Sequence, residues 1–150
     1  MAQGELMQMV PDGAQPIENP LGFDEAKLQE LLGPAAFAVL RLGATEPAFQ
    51  GILTDNDAPG DYLCAVCDAL IFSGAQKFHS GCGWPSFFDA AKPGAVRELV
   101  DLSHGRKRVE IRCANCDSHL GHVFDGEGYG TPTDRRFCVN SISMKFVPVT

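Results

Sequence analysis

The first half of the chain contains almost no basic residues. Residues 1–76 carry only Lys27 and Arg41 against eleven acids, whereas residues 77–150 carry ten bases against eight acids, so the net charge of the 150 residues is −7. An acidic chain of this kind lacks the extended basic surface that nucleic-acid binding requires. We interpret the one basic run, Arg106-Lys107-Arg108, as the solvated tip of a hairpin, and we expect no nucleic-acid partner.

Long apolar runs are also missing. The longest run, residues 35–40, is far shorter than the ~20 residues of a membrane-spanning helix. No apolar segment follows the N-terminus as it does in a signal peptide. We therefore expect no membrane association and a cytoplasmic location. A chain of 150 residues, of which 45% are hydrophobic, is long enough for one domain and apolar enough to form its own core.

The N-terminal third predicts an arm followed by two helices. Residues 1–22 contain several glycines and prolines without periodicity, and we predict a flexible N-terminal arm there. Residues 24–42 contain helix signals. Asp24 can cap a first helix that ends at Gly33, and Pro34 can begin a second helix that ends at Gly43.

The remainder of the chain is typical of an antiparallel β domain. From residue 45 to residue 150, short runs of aromatic and β-branched residues alternate with Gly, Pro, Asp and Ser. We predict a hairpin that turns at His104-Gly105. Residues 23–150 are expected to form one domain. The predicted strands are residues 61–64, 70–73, 96–103, 106–113, 119–124 and 136–146.

Four of the six cysteines occur in two Cys-x-x-Cys motifs. Each motif turns two sulfur atoms toward one point, and two motifs complete the tetrahedral four-thiolate site of a structural zinc. We therefore predict one zinc, bound by Cys64, Cys67, Cys113 and Cys116. Two alternatives fit less well: a thioredoxin-type redox pair requires a βαβ setting that is missing here, and a disulfide framework is typical of exported proteins.

The fifth cysteine lies in a glycine-rich loop. Cys82 is flanked by Gly81 and Gly83, and the only tryptophan, Trp84, follows. Glycine allows a loop to move or to approach another backbone closely, so Cys82 can reach a partner thiol. A tryptophan can also be a core aromatic, but in this loop, with a proline after it, we interpret Trp84 as the exposed wall of a site.

The sixth cysteine lies in the predicted strand 136–146. Side chains alternate along a strand, so Arg136, Cys138 and Asn140 share one face. A nearby positive charge lowers the pKa of a thiol, and the thiolate is the nucleophile. A free cysteine in a strand can equally be a small buried hydrophobe, and this segment alone leaves both interpretations open.

Two histidines, His119 and His122, follow the second Cys-x-x-Cys motif. They are possible zinc ligands, but four thiolates already complete that site. We interpret them as proton donors or water-positioning groups, because histidine is the usual acid or base near neutral pH. His79 and His104 lack such neighbours and are expected on the surface.

In their order along the chain, these motifs resemble those of the B-type methionine-R-sulfoxide reductases. The resemblance rests on the two Cys-x-x-Cys motifs and on residues 81–87, 118–124 and 136–146. It implies a mainly β fold of two antiparallel sheets, a β-tent or barrel-like domain clamped by the four-cysteine zinc site, with short N-terminal helices. It also implies an enzyme that reduces methionine-R-sulfoxide, either free or peptide-bound, to methionine.

The resemblance also implies roles for individual residues. Cys138 would attack the sulfoxide sulfur, release methionine and become a sulfenic acid. Cys82 would be the resolving cysteine, which forms a disulfide with Cys138 that thioredoxin reduces. Trp84 would pack against the methyl group of the substrate, with Phe124 as a second substrate-binding residue. The sulfoxide oxygen and its protonating water would be held by His119, His122, Asn140 and Arg136.

We expect a monomer, and we considered one non-enzymatic alternative. It is a zinc-clamped β domain that binds a ligand in an aromatic pocket of Trp84, Phe78 and Phe87. A binding module of this kind needs neither Cys82 nor Cys138, so the sequence favours the enzyme. Asp125 follows Phe124 one residue earlier than in the family pattern, and its part in the site stays open.

Overall fold

Two short helices precede the β domain. The computed structural model describes residues 15–149, with helix α1 at Glu25–Leu32 and helix α2 at Pro34–Leu42. The carboxylate of Asp24 caps α1 by accepting hydrogen bonds from the backbone N–H groups of its first turn. Gly43, in the left-handed conformation, ends α2. The prediction of short N-terminal helices is confirmed.

The rest of the chain forms two open antiparallel sheets, as predicted. Strands β2, β1 and β9 form a three-stranded sheet, and a six-stranded sheet has the order β3-β4-β8-β7-β6-β5. Neither sheet closes into a barrel within residues 15–149. The strands are β1 Gly60–Cys64, β2 Leu70–Ser73, β3 Lys77–Phe78, β4 Ser86–Phe87, β5 Val96–Asp101, β6 Arg108–Cys113, β7 His119–Asp125, β8 Arg135–Val139 and β9 Met144–Pro148.

Aromatic side chains from the two sheets pack against each other and form the centre of the core. The ring of Phe87 stacks on Phe72 at a centroid distance of 4.4 Å, and it meets the edge of Tyr62 at 5.0 Å. Phe137 completes this cluster, and all four side chains are buried. Because Phe87 belongs to the core, the aromatic pocket of Trp84, Phe78 and Phe87 does not form.

The predicted strand 136–146 is wrong as a single element. Strand β8 ends at Val139, a 3-10 turn covers Ser141–Ser143, and β9 begins at Met144 in the other sheet. The side chain of Glu46, distant in sequence, accepts a hydrogen bond from the backbone N–H of Ile142 at 2.8 Å. This turn moves the chain from one sheet to the other, so the alternation of faces holds only for the first part of the segment.

Buried arginines fix the segments that precede the β domain. Arg112, which is 1% exposed, donates hydrogen bonds to the backbone carbonyls of Gln15 and Pro16. Arg41 of α2 donates to the carbonyl of Glu18 and to that of Cys116. Residues 1–14 of the predicted arm lie outside the described part of the chain. Among the residues described, no helix has the length and apolar character needed to cross a bilayer.

Candidate active site

The four cysteines of the two Cys-x-x-Cys motifs converge on one point. Their sulfur atoms all lie within 4.8 Å of one another. The Sγ atoms of Cys64 and Cys116 are 3.6 Å apart, as are those of Cys67 and Cys113. A tetrahedral zinc with Zn–S bonds of ~2.3 Å requires sulfur separations of about 3.8 Å. The donor set and its spacing therefore fit a four-thiolate metal site.

The two motifs have the same backbone conformation. Asp68 and Asp117, which directly follow the second cysteine of each motif, adopt positive φ angles of 64° and 67°. In both motifs this residue donates a backbone hydrogen bond to the carbonyl of the first cysteine, Cys64 or Cys113. The tight turn directs both sulfur atoms to the same side, which is why the local spacing alone predicts the cluster.

The other two cysteines lie at a separate cavity of about 190 Å³. It opens beside the carboxyl end of β8 and the loop before β4. Most of the predicted site residues line it. The lining residues are Thr45, Cys82, Trp84, Arg106, Arg108, Gly121, His122, Phe124, Arg136, Cys138 and Asn140. His119 is the only predicted catalytic residue outside this set.

Cys82 and Cys138 face each other at this cavity. Their sulfur atoms are 3.6 Å apart, longer than the ~2.05 Å of a disulfide bond, and both thiols are free. Ser86, which pairs with Cys138 across β4 and β8, also contacts the Cys82 sulfur through its hydroxyl at 3.4 Å. The glycine-rich loop therefore brings Cys82 to Cys138, as its composition predicts.

The hydrogen bond between the two thiols separates their pKa values. The Cys138 thiol donates to Cys82, and together with the hydroxyls of Ser80 and Ser86 this lowers the pKa of Cys82 to about 4, although burial opposes the shift. The same hydrogen bond, assisted by burial, raises the pKa of Cys138. Arg136 acts on Cys138 in the expected direction, but its effect is outweighed. This hydrogen bond therefore favours the proton on Cys138 over the proton on Cys82.

Arg136 and Asn140 flank Cys138 on the predicted face. The Arg136 guanidinium lies over the Phe124 ring, 4.5 Å from its centroid, and pairs with Glu127 at 2.8 Å. The amide of Asn140 is buried. It donates to the carbonyl of Leu120 and accepts from the backbone N–H of Glu46, both at 2.9 Å. These contacts fix both side chains at the cavity.

Trp84 lines the cavity and is half-buried rather than exposed. Its indole Nε1 donates a hydrogen bond of 3.0 Å to the backbone carbonyl of Glu46. Glu46 therefore contacts Trp84 and Asn140 through its backbone and Ile142 through its carboxylate. Tryptophan keeps an apolar face available while its N–H is satisfied, which suits packing against an alkyl group.

A bulge brings the two histidines together on β7. Residues three apart in a strand normally point to opposite faces, but the β6–β7 register shifts between Gly121 and His119. As a result, the rings of His119 and His122 meet edge to face at a centroid distance of 5.7 Å. His122 lines the cavity, whereas His119 is 2% exposed and lies behind it.

Two carboxylates that the sequence analysis missed orient these histidines. Asp101 of β5 lies 2.6 Å from Nε2 of His122, and Glu110 of β6 lies 2.6 Å from Nδ1 of His119. Burial opposes their ionisation, but hydrogen bonds outweigh it, so the pKa of each carboxylate is below its ordinary value. Burial lowers the pKa of His122, and Asp101 opposes that shift. Only the register of β5, β6 and β7 reveals these pairs.

Gly121 allows β7 to pass close to the nucleophile candidate. It pairs with Val139, and a Cβ atom at position 121 would overlap the backbone carbonyl of Cys138. Because Gly121 has no side chain, β7 and β8 can pair at this position and the adjoining cavity stays open. Asp125, at the far end of β7, is exposed, pairs with Arg135 and does not line the cavity.

A pair of facing thiols at an open cavity is typical of a thiol-dependent oxidoreductase. The separate cluster of four cysteines could hold a metal ion. Comparison with known families agrees. The SelR domain model matches residues 32–148. This chain belongs to the SelR domain family.

Curated relatives match most of the chain. Peptide methionine sulfoxide reductase B7 of Arabidopsis thaliana is 45% identical over 93% of this chain and 95% of its own. Two bacterial relatives are similarly close. The peptide methionine sulfoxide reductase MsrB of Leifsonia xyli is 50% identical over 83% of this chain and 88% of its own length. The MsrB of Escherichia coli O139:H28 is 48% identical over 80% of this chain and 86% of its own length. The expected family and the expectation of an enzyme rather than a binding module are confirmed.

Proposed function

We propose that this chain reduces the R epimer of methionine sulfoxide, peptide-bound or free, with Cys138 as nucleophile and Cys82 as resolving cysteine. The contact of 3.6 Å between the two sulfur atoms at the cavity carries the proposal. The methionine sulfoxide substrate follows from the family. We further propose that the enzyme is a cytoplasmic monomer and that thioredoxin is its reductant.

The proposed reaction balances over three steps. Attack of the Cys138 thiolate on the sulfoxide, with one proton, transfers the oxygen, releases methionine and leaves a sulfenic acid on Cys138. The Cys82 thiol then condenses with this sulfenic acid, which forms a disulfide and water. A dithiol of thioredoxin reduces the disulfide by exchange and is itself oxidised. The net result is one sulfoxide reduced for one dithiol oxidised.

Proton movement within the thiol pair prepares the attack. The hydrogen bond between the two thiols favours the proton on Cys138, because it lowers the pKa of Cys82 and raises the pKa of Cys138. Transfer of this proton to Cys82 along the S···S hydrogen bond leaves a thiolate on Cys138, where Arg136 stabilises the negative charge. The same transfer leaves Cys82 as the thiol that the condensation step requires.

The surrounding residues suit the geometry of a sulfoxide. Trp84 and Phe124 offer apolar surfaces to the methyl group of the substrate, and His122, held by Asp101, supplies the proton for the departing oxygen. Asn140 holds the backbone of β7 in place by its hydrogen bond to the carbonyl of Leu120, and the ring of His119 packs against that of His122 on the side away from the cavity. Since the apolar wall and the proton donor are different groups, the pocket distinguishes the two configurations at sulfur.

The four-cysteine cluster is assigned a structural zinc. Cys64, Cys67, Cys113 and Cys116 would hold it, and no position is left for a substrate because four thiolates complete the tetrahedron. A bound zinc would join the turn after β1 to the turn after β6, which clamps the two sheets together. None of the proposed chemical steps involves it.

Resolved sulfoxide epimers test this function. Blocked methionine-R-sulfoxide and methionine-S-sulfoxide are incubated separately with the protein and dithiothreitol, and methionine is measured by chromatography. We expect turnover of the R epimer and negligible turnover of the S epimer. Comparable rates for both epimers would contradict the proposed pocket, and no turnover of either would contradict the proposed reaction.

A further inference from the structure

The lining of the active-site cavity has basic side chains but no acidic ones among the described residues, although the chain is acidic. This lining includes three guanidinium groups, those of Arg106, Arg108 and Arg136, and no carboxylate from residues 15–149. A neutral sulfoxide does not require this much positive charge. Arg136 is accounted for by its position beside the Cys138 sulfur, but the two arginines from the β5–β6 hairpin are not.

Arg106 differs from every other arginine of the protein. Six of the seven arginines form an ion pair with a carboxylate: Arg41 with Glu25, Arg97 with Asp117, Arg108 with Asp101, Arg112 with Glu110, Arg135 with Glu98 and Arg136 with Glu127. Arg106 is exposed, lines the cavity and has no carboxylate partner within the described part of the chain. Its charge is therefore available to a ligand.

Arg108 is the second guanidinium that the hairpin contributes to the lining of the cavity. Its NH2 group lies 3.4 Å from both Asp101 and Ser103, which holds the side chain in place. Its Nε atom is buried and has no hydrogen-bond partner among the described residues. Because Arg108 is paired with Asp101 and its Nε atom is not accessible from the cavity, Arg106 is the guanidinium of this hairpin that is open to an anion.

We propose that Arg106 is a specificity residue that binds a carboxylate of the substrate at the mouth of the active site. This inference rests on the proposed function and refines its substrate class to methionine sulfoxides that carry a nearby carboxylate. That carboxylate can come from an aspartate or glutamate next to the oxidised methionine, or from the α-carboxylate of free methionine sulfoxide. Arginine suits either source, because its planar fork pairs with both carboxylate oxygens.

Two matched substrate pairs measure this preference. The first pair is a blocked tripeptide with methionine-R-sulfoxide followed by Asp or by Asn, and the second is free methionine-R-sulfoxide and its methyl ester. Dithiothreitol serves as reductant throughout. For at least one pair, we expect kcat/KM to be about three- to tenfold higher for the member with the carboxylate, as for a partly exposed charge pair. The pair that responds identifies the source.

Variants test whether the preference for a substrate with a carboxylate depends on Arg106. In Arg106→Gln the ratio within the responding pair should fall to about one, and in Arg106→Lys it should be partly retained. Lys107→Gln is the matched control, because Lys107 is the adjacent exposed cation and does not line the cavity. The inference is overturned if neither pair shows a preference, or if Lys107→Gln abolishes the preference as fully as Arg106→Gln does.

A binding measurement separates this inference from the proposed reaction. Trp84 is the only tryptophan and lies in the cavity, so its fluorescence reports ligand binding without turnover. Peptides that carry methionine sulfone before Asp or Asn serve as non-reacting probes. Tighter binding of the Asp peptide that depends on Arg106 supports the site even if no sulfoxide is reduced. Equal binding of both peptides, together with equal binding of free methionine sulfone and its methyl ester, refutes the site alone if sulfoxide reduction is normal.

Discussion

The protein holds two groups of cysteines whose sulfur atoms are equally close but whose chemistry differs. Two sulfur pairs of the four-cysteine cluster and the Cys82–Cys138 pair all have a separation of 3.6 Å. In the cluster, four thiols converge, and backbone turns hold them in a buried setting. At the cavity only two thiols meet, and Arg136 and His122 lie beside them.

The comparison shows that sulfur spacing alone does not determine function. Four converging thiolates satisfy a metal and leave no open position, so they are protected from reaction. Two free thiols beside an open cavity remain available to a substrate. The number of converging sulfurs and their access to the cavity distinguish a cluster that could hold a metal from a pair that is open to a substrate.

The largest expected difference between the two regions is in a single turnover. Cys138→Ser should produce no methionine, whereas Cys82→Ser should produce about one equivalent per enzyme without reductant and then stop with an oxidised Cys138. Quenched-flow chromatography of methionine measures both. Dithiothreitol should restart Cys82→Ser better than thioredoxin does. If thioredoxin supports this variant at the parent rate, Cys82 is not the resolving cysteine.

Loss of a cluster cysteine should affect metal content and stability together. Cys116→Ser should lose zinc and about 3 kcal/mol or more of unfolding free energy, because metal binding to thiolates contributes to folding. Elemental analysis and urea denaturation measure both quantities. Cys82→Ser is the matched control and should keep its zinc. Full zinc retention by Cys116→Ser, or native parent protein without zinc, would contradict the assignment.

A smaller effect is expected from the carboxylate behind His122. Asp101→Asn should lower kcat by roughly tenfold to a hundredfold, because the proton donor loses its orientation and its charge partner. Asp101 raises the pKa of His122 against burial, so its removal lowers that pKa further. The alkaline limb of the pH–rate profile should therefore move to lower pH. Asp125→Asn, an exposed carboxylate of β7, controls for loss of charge, and an equal effect there would count against the role of Asp101.

The smallest change concerns the ionisation of Cys82. In the parent its pKa is lowered to about 4, mainly by the hydrogen bond from Cys138. Cys138→Ala removes that donor, so the pKa of Cys82 should rise toward the ~8.5 of a free thiol. The pH dependence of alkylation by iodoacetamide, followed at Cys82 by mass spectrometry, measures the shift. An unchanged profile would mean that the hydroxyls of Ser80 and Ser86 suffice.

Features encoded by short-range sequence were predictable. The Cys-x-x-Cys motifs are local turns, and their spacing predicts a convergence that the structure contains. Asp24 and Gly43 act within a single helical turn, so their positions mark the helix ends. The first half of the 136–146 segment also keeps its alternation, which places Arg136 and Cys138 at one cavity.

Features that depend on distant partners were not predictable. The break after Val139 is held by Glu46, almost a hundred residues earlier in the chain. Asp101 and Glu110 reach the histidines only because β5, β6 and β7 pair in one register, with a bulge before Gly121. Arg106 and Lys107 at the hairpin tip are exposed, as predicted, but the sequence did not indicate that Arg106 and Arg108 line the cavity.

Gly121 has a consequence for how this protein can evolve. Any side chain there would overlap the Cys138 carbonyl, so position 121 cannot vary without displacing Cys138. The hairpin tip that carries Arg106 is exposed and contributes no core contact. Adaptation to a new set of substrates is therefore expected to proceed through that tip, while position 121 and the chemistry beside it stay constant across descendants.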